Sequence, residues 1–407
     1  MSLNTGDIAS LNLNFSRSDR GNPGVPVSDA DLSSTSTPFD RQSDQGTSIS
    51  LSFSPKISDA FTPKLTVSDN LTEEKVHYAN WDGTFSDGRY VSRITQAELS
   101  TEIKNGRYGL VTAGLEFKRN YGESTGAGIH TVDNGAFYVN TEAGHSLPVT
   151  AGIGLRADTN SAFGGTLTSK IGFLAHLDRS TVMRTSVGTA FRAPTINELY
   201  WNDPYTVGNA NLKPENSITS TISLEKQVWG MDTNINYYLT RISDMIQWLP
   251  TDPSNPFSIY MPVNLAHTRI EGFEVGAKGN IFDGFFLSGD VINETAVNEG
   301  TSRVLTYSPR SRANVSLLYE NEKLLSAKAS IHFVSDVSTG LTQPVNLAAY
   351  QTVDVSFFRK IRSFEAYLNI NNIFNETYFE SAGYSSVDGR NRGYPMPGRR
   401  IMVGIKI

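Results

Sequence analysis

Apolar and polar residues alternate along most of this chain. Over 217–228, Ile218, Ser220, Ile222, Leu224, Lys226 and Val228 fall on one side, and Ser217, Thr219, Thr221, Ser223, Glu225 and Gln227 on the other. The first side is mostly apolar and the second wholly polar. The same period runs through Val111, Ala113, Leu115 and Phe117, through Ala313, Val315, Leu317 and Tyr319, through Val353, Val355 and Phe357, and through Phe364, Ala366, Leu368 and Ile370. Successive side chains of a strand point to opposite faces, so each segment predicts a strand with one apolar face. Helical periodicity is nearly absent; only 195–201, after Pro194, suits one short turn.

The pattern predicts about 18 strands, the first over 7–17 and the last over 397–407, most of them longer than the soluble mode of about 5–6 residues. Short connections are expected near 56–60, 104–106, 144–146, 178–180, 229–231, 281–284, 320–323 and 360–362. Mostly longer ones are expected near 18–44, 80–89, 121–132, 159–164, 191–215, 250–256, 299–305, 336–346 and 374–396. The two sets alternate along the chain. In an up-and-down meander, odd connections lie at one end and even ones at the other. Short turns at one rim and long loops at the other is the outer-membrane barrel pattern. A tilted strand crosses a bilayer in about 9–11 residues. The fold class predicted is all-β, a transmembrane antiparallel up-and-down β-barrel, with both termini at the short-turn rim.

Composition fits that picture. Only 38% of the 407 residues are hydrophobic and 19% are charged, while Phe (21) and Tyr (17) are frequent. A barrel needs an apolar outside and a wet or polar inside, so half of each strand suffices. A soluble propeller or β-helix would show a repeat, and none is visible. The chain has no cysteine, which excludes disulfides and thiolate metal sites. The net charge of −6 gives no reason to expect nucleic acid. No apolar run reaches the ~18 residues of a membrane helix, and the first six residues lack signal-peptide character.

The connection at 191–215 holds the most specific residues. "SVGTAFRAPTINELYW" followed by "GNANLKPENS" resembles the barrel of TonB-dependent outer-membrane receptors, whose strand ends in F-R-A-P, passes through N-E-L-Y/F and reopens at N-x-x-L-K-P-E. Three more matches follow in order: "HTRIEGFEVGAKG" (267–279), "LNINNIFNETYFE" (368–380) and "GYPMPGRRIMVGIKI" (393–407). The resemblance is nearest the cobalamin-receptor branch and is shared by ferric-siderophore receptors. It implies a monomeric outer-membrane barrel of a Gram-negative-type cell, among outer-membrane lipids. Such a barrel takes up a scarce small-molecule nutrient, energised through the TonB complex.

Two departures stand out. The family carries a signal peptide, an energy-coupling box and a plug before a barrel of 22 strands. Here residues 1–407 are expected to be the C-terminal part of such a barrel, without plug or signal peptide. TonB would engage only if a plug and coupling box lie upstream, and the chain alone is expected to give no energy-dependent uptake. The last strand ends in Ile405, Lys406 and Ile407, where outer-membrane barrels usually end in Phe or Trp.

The resemblance places 191–215 outside the cell. There Tyr200, Trp201, Asn202, Asp203, Tyr205 and Asn209 are candidate ligand contacts, since aromatics offer contact area and amides and carboxylates orient polar ligands. The alternative is that Tyr200 and Trp201 belong to an interfacial girdle. Phe191, Arg192, Pro194, Glu198, Leu212, Pro214 and Glu215 carry the family motif, and a structural clamp joining Arg192, Glu198 and Glu215 is favoured for them. A second candidate group, Tyr384, Arg390, Arg392 and Tyr394, lies in 383–398. Its arginines either attract anionic chelates or lipopolysaccharide phosphates, or form an ordinary charged loop.

Asp29, Asp31, Asp40 and Asp44 match no calcium-loop spacing, so a solvated polar loop is favoured over a calcium site. No other cofactor is expected. The six histidines, His77, His130, His145, His176, His267 and His332, lack metal spacing. No catalytic motif is present, and enzymatic activity is not expected. The rival functions are a passive 18-stranded porin, separable by steady conductance, and a surface-binding barrel, separable by ligand binding without uptake.

Overall fold

A computed structural model describes residues 7–21, 26–28, 31–35, 39–79, 84–105, 109–144, 147–252, 254–255, 258–321, 325–339, 345–384 and 390–406. The long strands are β1 (Ile8–Gly21), β2 (Arg41–Ser54), β3 (Phe61–Ala79), β4 (Phe85–Asn105), β5 (Gly109–Ser124), β6 (Gly128–Ala143), β7 (Val149–Asn160), β8 (Gly164–His176) and β9 (Thr181–Arg192). A short helix, α1 (Ile196–Tyr200), follows. Then come β10 (Glu215–Val228), β11 (Met231–Pro250), β12 (Tyr260–Phe282), β13 (Phe285–Asn298), β14 (Ser311–Tyr319), β15 (Ser326–Val334), β16 (Tyr350–Ile361), β17 (Phe364–Asn371) and β18 (Arg400–Lys406).

Each long strand pairs antiparallel with the next, from β1–β2 through β17–β18. The main sheet counts 19 strands, one of them the two-residue stub Arg303–Val304 beside Val297. The meander is therefore the up-and-down one that the alternation predicts.

Register assigns the faces. Leu11, Leu51, Val67, Ala97 and Phe117 lie in one cross-strand row. Met183, Leu224, Ile235, Val275, Val291, Ala313 and Phe333 form another. Both rows are apolar, and most of their large side chains are exposed. The neighbouring row on the opposite face runs Glu225, Asn234, Gly276, Asp290, Asn314, His332 and Thr352. There the Asn314 amide donates to Asp290 at 3.0 Å, and Asn314 lies 2.9 Å from the His332 ring. The sheet is thus apolar on one face and hydrogen-bonded polar on the other, as a wall between lipid and water requires.

The connections depart from expectation at one rim. Of the connections expected to be long, 125–127 and 161–163 are tight turns; β3 ends at Ala79, as expected, while β4 begins early, at Phe85. Period 2 fails there because both faces are polar, yet the ladder continues through cross-strand ion pairs such as Arg119–Asp133 at 2.7 Å. The loops that stay long hold small hairpins that the alternation does not reveal: Pro26–Ser28 with Asp31–Thr35, Val337–Ser338 with Asn346–Leu347, and Phe379–Tyr384 with Asn391–Pro395.

Among the described residues, no ladder joins β1 to β18: β1 pairs with β2, and β18 with β17. Both edge strands are largely exposed. Near the long-loop rim the two ends of the sheet approach, because strand Pro26–Ser28 lies beside Asn391–Pro395.

Candidate functional site

The loop between β9 and β10 is built from its ends inward. Arg192 and Glu215 are its last register pair. The Arg192 guanidinium donates to both Glu198 carboxylate oxygens at 3.1 Å and to Glu215 Oε1 at 2.6 Å. Glu215 Oε1 also accepts the Ile246 N–H at 2.7 Å. One planar fork thus ties both loop ends and α1 together, and β11 joins through Glu215.

Helix α1 starts because Thr195 and Glu198 form a capping box. The Glu198 N–H donates to Thr195 Oγ1 at 3.1 Å, and the Thr195 N–H to Glu198 Oε2 at 2.7 Å. This satisfies orphan amides of the first turn. Leu199 and Leu212 bury against Ile246, with Tyr200 packed alongside. Asn264 pins the return leg: it accepts the Lys213 N–H and donates to Lys213 O, both at 3.0 Å.

The helix leans onto the inner, polar face of the wall. Tyr90 and His130 occupy rows opposite in parity to the apolar face. The Tyr200 ring stacks on His130 with centroids 3.8 Å apart, and Trp201 stacks parallel to Tyr90 at 6.1 Å. A Cβ on Gly122 would meet Ile196 at 2.7 Å, and one on Gly126 the Trp201 ring at 2.7 Å. Glycine there lets the helix close on β5 and the turn after it. Tyr200 and Trp201 therefore face inward, and the alternative of a lipid-facing girdle fails for them. The loop folds back over the polar face of the sheet.

The candidate ligand residues divide accordingly. Trp201 Nε1 donates to Asp203 at 2.6 Å, and Asp203 accepts the Tyr205 and Thr206 N–H groups. Asn209 donates to Pro262 O at 3.1 Å and accepts the Asn211 N–H. These groups build the loop. Asn202 and Tyr205 keep exposed side chains, Tyr205 at 64%. The Tyr205 backbone is fixed on both sides, because its carbonyl accepts the Tyr260 N–H at 2.8 Å. Its ring is a rigidly presented surface.

A family model described as "TonB dependent receptor-like, beta-barrel" matches residues 2–373. The chain belongs to this TonB-dependent receptor β-barrel family. It is 30% identical over 278 residues to a "Vitamin B12 transporter BtuB" of Vibrio vulnificus (strain YJ016), covering 64% of this chain and 41% of that protein. It is 36% identical over 123 residues to a protein of the same name in Photobacterium profundum, covering 30% and 20%. The chain thus spans well under half the length of these curated relatives. Among solved structures, the ferric enterobactin receptor PfeA of Pseudomonas aeruginosa aligns with TM-score 0.80 at 15% identity, covering 99% of this chain and 67% of that one. The ferric-catecholate import receptor Fiu of E. coli K12 aligns with TM-score 0.79 at 15% identity, covering 98% and 72%. Those two show the shared fold. The relatives are named as transporters and receptors, none as an enzyme.

In this chain the family motifs act mainly as structure. Phe191 packs edge-on against Phe163, Pro194 and Leu212 are buried, and Pro214 precedes β10. In the motif near the end, Asn372 (φ 49°) and Asn375 (φ 57°) sit in the left-handed region that asparagine tolerates. Asn372 exchanges hydrogen bonds with the Glu376 backbone at 2.8 Å, and Asn375 accepts the Arg399 N–H at 2.8 Å. The roles of these residues, and those of Asn264 and His130, do not follow from the alternation of the chain. Asparagine before and within a turn was the readable signal for two of them.

In the second group, Tyr384 pairs with Asn391 through the backbone, and its side chain lies outside the described residues. Arg392 is buried and Arg390 exposed. The Tyr394 ring covers Gly383, and burial raises its phenol pKa. Arg392 and Tyr394 therefore serve the hairpin, and Arg390 is the exposed member. Of the loop aspartates, Asp29 is outside the described residues and Asp31 is described by its backbone alone. Asp40 accepts the Ala79 N–H at 2.8 Å, and Asp44 pairs with Arg20 at 3.0 Å. Among the described residues no group of three or more acidic or histidine side chains is placed to hold a metal.

Proposed function

We propose that this chain forms the outer-membrane wall of a receptor that takes up a scarce nutrient with energy delivered through TonB, and that the nutrient is a cobalamin. The observation that carries the first part is the two-faced meander, with exposed apolar rows on one side and hydrogen-bonded polar rows on the other, in a member of this family. Support for cobalamin comes from the relatives at 30–36% identity, all named as vitamin B12 transporters. The receptors for ferric chelates match at 15% and speak for the fold. Ligand contact is assigned to the mouth of the interior, where Asn202 and Tyr205 are presented and the hairpin carrying Arg390 stands. The test is equilibrium binding to the refolded chain of cyanocobalamin and of a ferric catecholate chelate. Saturable binding of cyanocobalamin with weaker catecholate binding is expected. Preference for the catecholate would overturn the ligand assignment. Steady open-channel conductance with no ligand binding would favour the porin.

A further inference from the structure

Just beyond the lipid-facing apolar rows, the outward face carries charge, and its two halves are built differently. On β5 and β6, Arg119 stands directly opposite Asp133, and they pair at 2.7 Å. On β3 and β4, Arg93 pairs with Asp69 at 2.9 Å. This half neutralises itself. On β11 and β12 the facing pair is Arg241 and Arg269. Like charges directly opposite on antiparallel strands repel and destabilise the sheet. Arg269 has partial relief from Glu271 at 3.3 Å and Glu299 at 3.8 Å. Among the described residues Arg241 has no carboxylate within ion-pair reach, and it is exposed.

The position matters as much as the charge. Arg241 is in register with Ile218, and Arg269 with Val297, on the outward face. Two rows toward the membrane on that face lie Tyr237 and Phe273, opposite each other and both about half exposed. From Met231, at the short-turn end of β11, the strand advances about ten residues to Arg241, matching the ~9–11 that cross a bilayer. Four residues along a strand advance about 13 Å, and less along a tilted barrel axis. That sets the two guanidinium groups in the headgroup layer. A shallow groove of about 330 Å³ beside them is lined by Thr189, Ile218, Arg241, His267 and Glu299.

We infer that Arg241 and Arg269 together bind a phosphate group of an anionic lipid in the outer leaflet. Two guanidinium forks facing across one ladder match a phosphate's oxygens, and the bound anion relieves their repulsion. The acyl chains of that lipid continue onto the Ile222, Tyr237 and Phe273 surface. The inference rests on the membrane-wall reading of the sheet proposed above.

The test uses the full chain in phosphatidylcholine bilayers doped with bis-phosphorylated lipid A or with its dephosphorylated form. Lipid retained after detergent extraction is measured by native mass spectrometry. The phosphorylated lipid should be retained and the dephosphorylated one lost. Arg241→Gln and Arg269→Gln should each lower retention about fivefold, the worth of one basic residue at a lipid surface. Inorganic phosphate should not displace the lipid. Wild-type retention by the double variant, or equal retention of the dephosphorylated lipid, would overturn the inference while leaving the membrane wall intact. Displacement by inorganic phosphate would assign a free-anion site in its place. Failure to insert into either bilayer would overturn both readings.

Discussion

Arg192 and Glu215 close the ladder between β9 and β10, and their side chains meet at 2.6 Å across the two ends of the loop over 193–214. Both glutamates of the clamp are buried more deeply than the arginine. Removing Arg192 would leave two carboxylates close together with no cation. Arg192→Ala should therefore loosen 196–215 by about 1–2 kcal/mol, a charged hydrogen-bond loss reduced for the exposure of the guanidinium. Hydrogen exchange should show faster amides in α1 and at Ile246, with the β2–β8 ladders unchanged. Arg192→Lys should recover only part of the loss, because an ammonium cannot make the two parallel bonds to Glu198. Unchanged exchange in α1 would refute the clamp.

The faces of the sheet give a paired comparison. Leu224 stands in the outward apolar row with Met183 and Ile235. Thr221 lies on the other face, where its hydroxyl meets Ser186 at 2.9 Å. An arginine on the lipid face near mid-bilayer costs about 2–4 kcal/mol. Leu224→Arg should impair folding far more than Thr221→Arg, as seen by the fraction showing heat-modifiable mobility on gels. Equal tolerance would mean a register shifted by one residue or a sheet outside a membrane.

Gly208 sits where the loop crosses α1. A Cβ there would lie 2.7 Å from Tyr200 N and 2.8 Å from Leu199 C, both backbone atoms with little room to yield. Gly208→Ala should displace the loop from the helix at a cost of about 1–3 kcal/mol, the usual range for overpacking. The stacked Tyr200 and His130 rings would then part, which crosslinking or nuclear magnetic resonance of the His130 ring would detect. An unaltered His130 environment would contradict the close approach.

Orientation is testable because the native chain has no cysteine. With the loop rim outside the cell, Asn202→Cys should be labelled on intact cells by a membrane-impermeant maleimide. A cysteine at Arg179, in the turn between β8 and β9, should need membrane rupture. Ser385, in the connection expected over 374–396, would be a second position for the same labelling and lies outside the described residues. The reverse pattern at 202 and 179 would invert the topology.

What the sequence carried was set by where water touches one face only. In β10 and β13 one face is mostly apolar, and the predicted spans 216–228 and 285–298 nearly coincide with Glu215–Val228 and Phe285–Asn298. Toward the far ends of β5 and β6 both faces are polar, so they carry no alternation and 121–132 reads as loop. The clamp is expected from the family motif, whose residues Arg192, Glu198 and Glu215 lie at the loop's ends and in its short turn, whereas the Thr195–Glu198 capping box emerges only in the structure. The stacking of Tyr200 on His130, and the confrontation of Arg241 with Arg269, depend on contacts and register that alternation does not encode.

Tyr205 offers the sharpest separation between framework and ligand surface. Its backbone is held by Asp203 and Tyr260, and its ring is the most exposed large hydrophobic side chain of the loop. A rigid exposed aromatic loses little entropy when a flat ligand covers it. Tyr205→Ala should leave the exchange pattern of α1 unchanged and weaken cyanocobalamin binding about tenfold, a loss of ~1.4 kcal/mol. Trp201→Phe should behave differently. It deletes the 2.6 Å bond to Asp203, whose other oxygen holds the Tyr205 and Thr206 amides, so exchange and binding should change together. Binding by Tyr205→Ala equal to wild type would move the ligand surface away from this loop and toward the hairpin that carries Arg390.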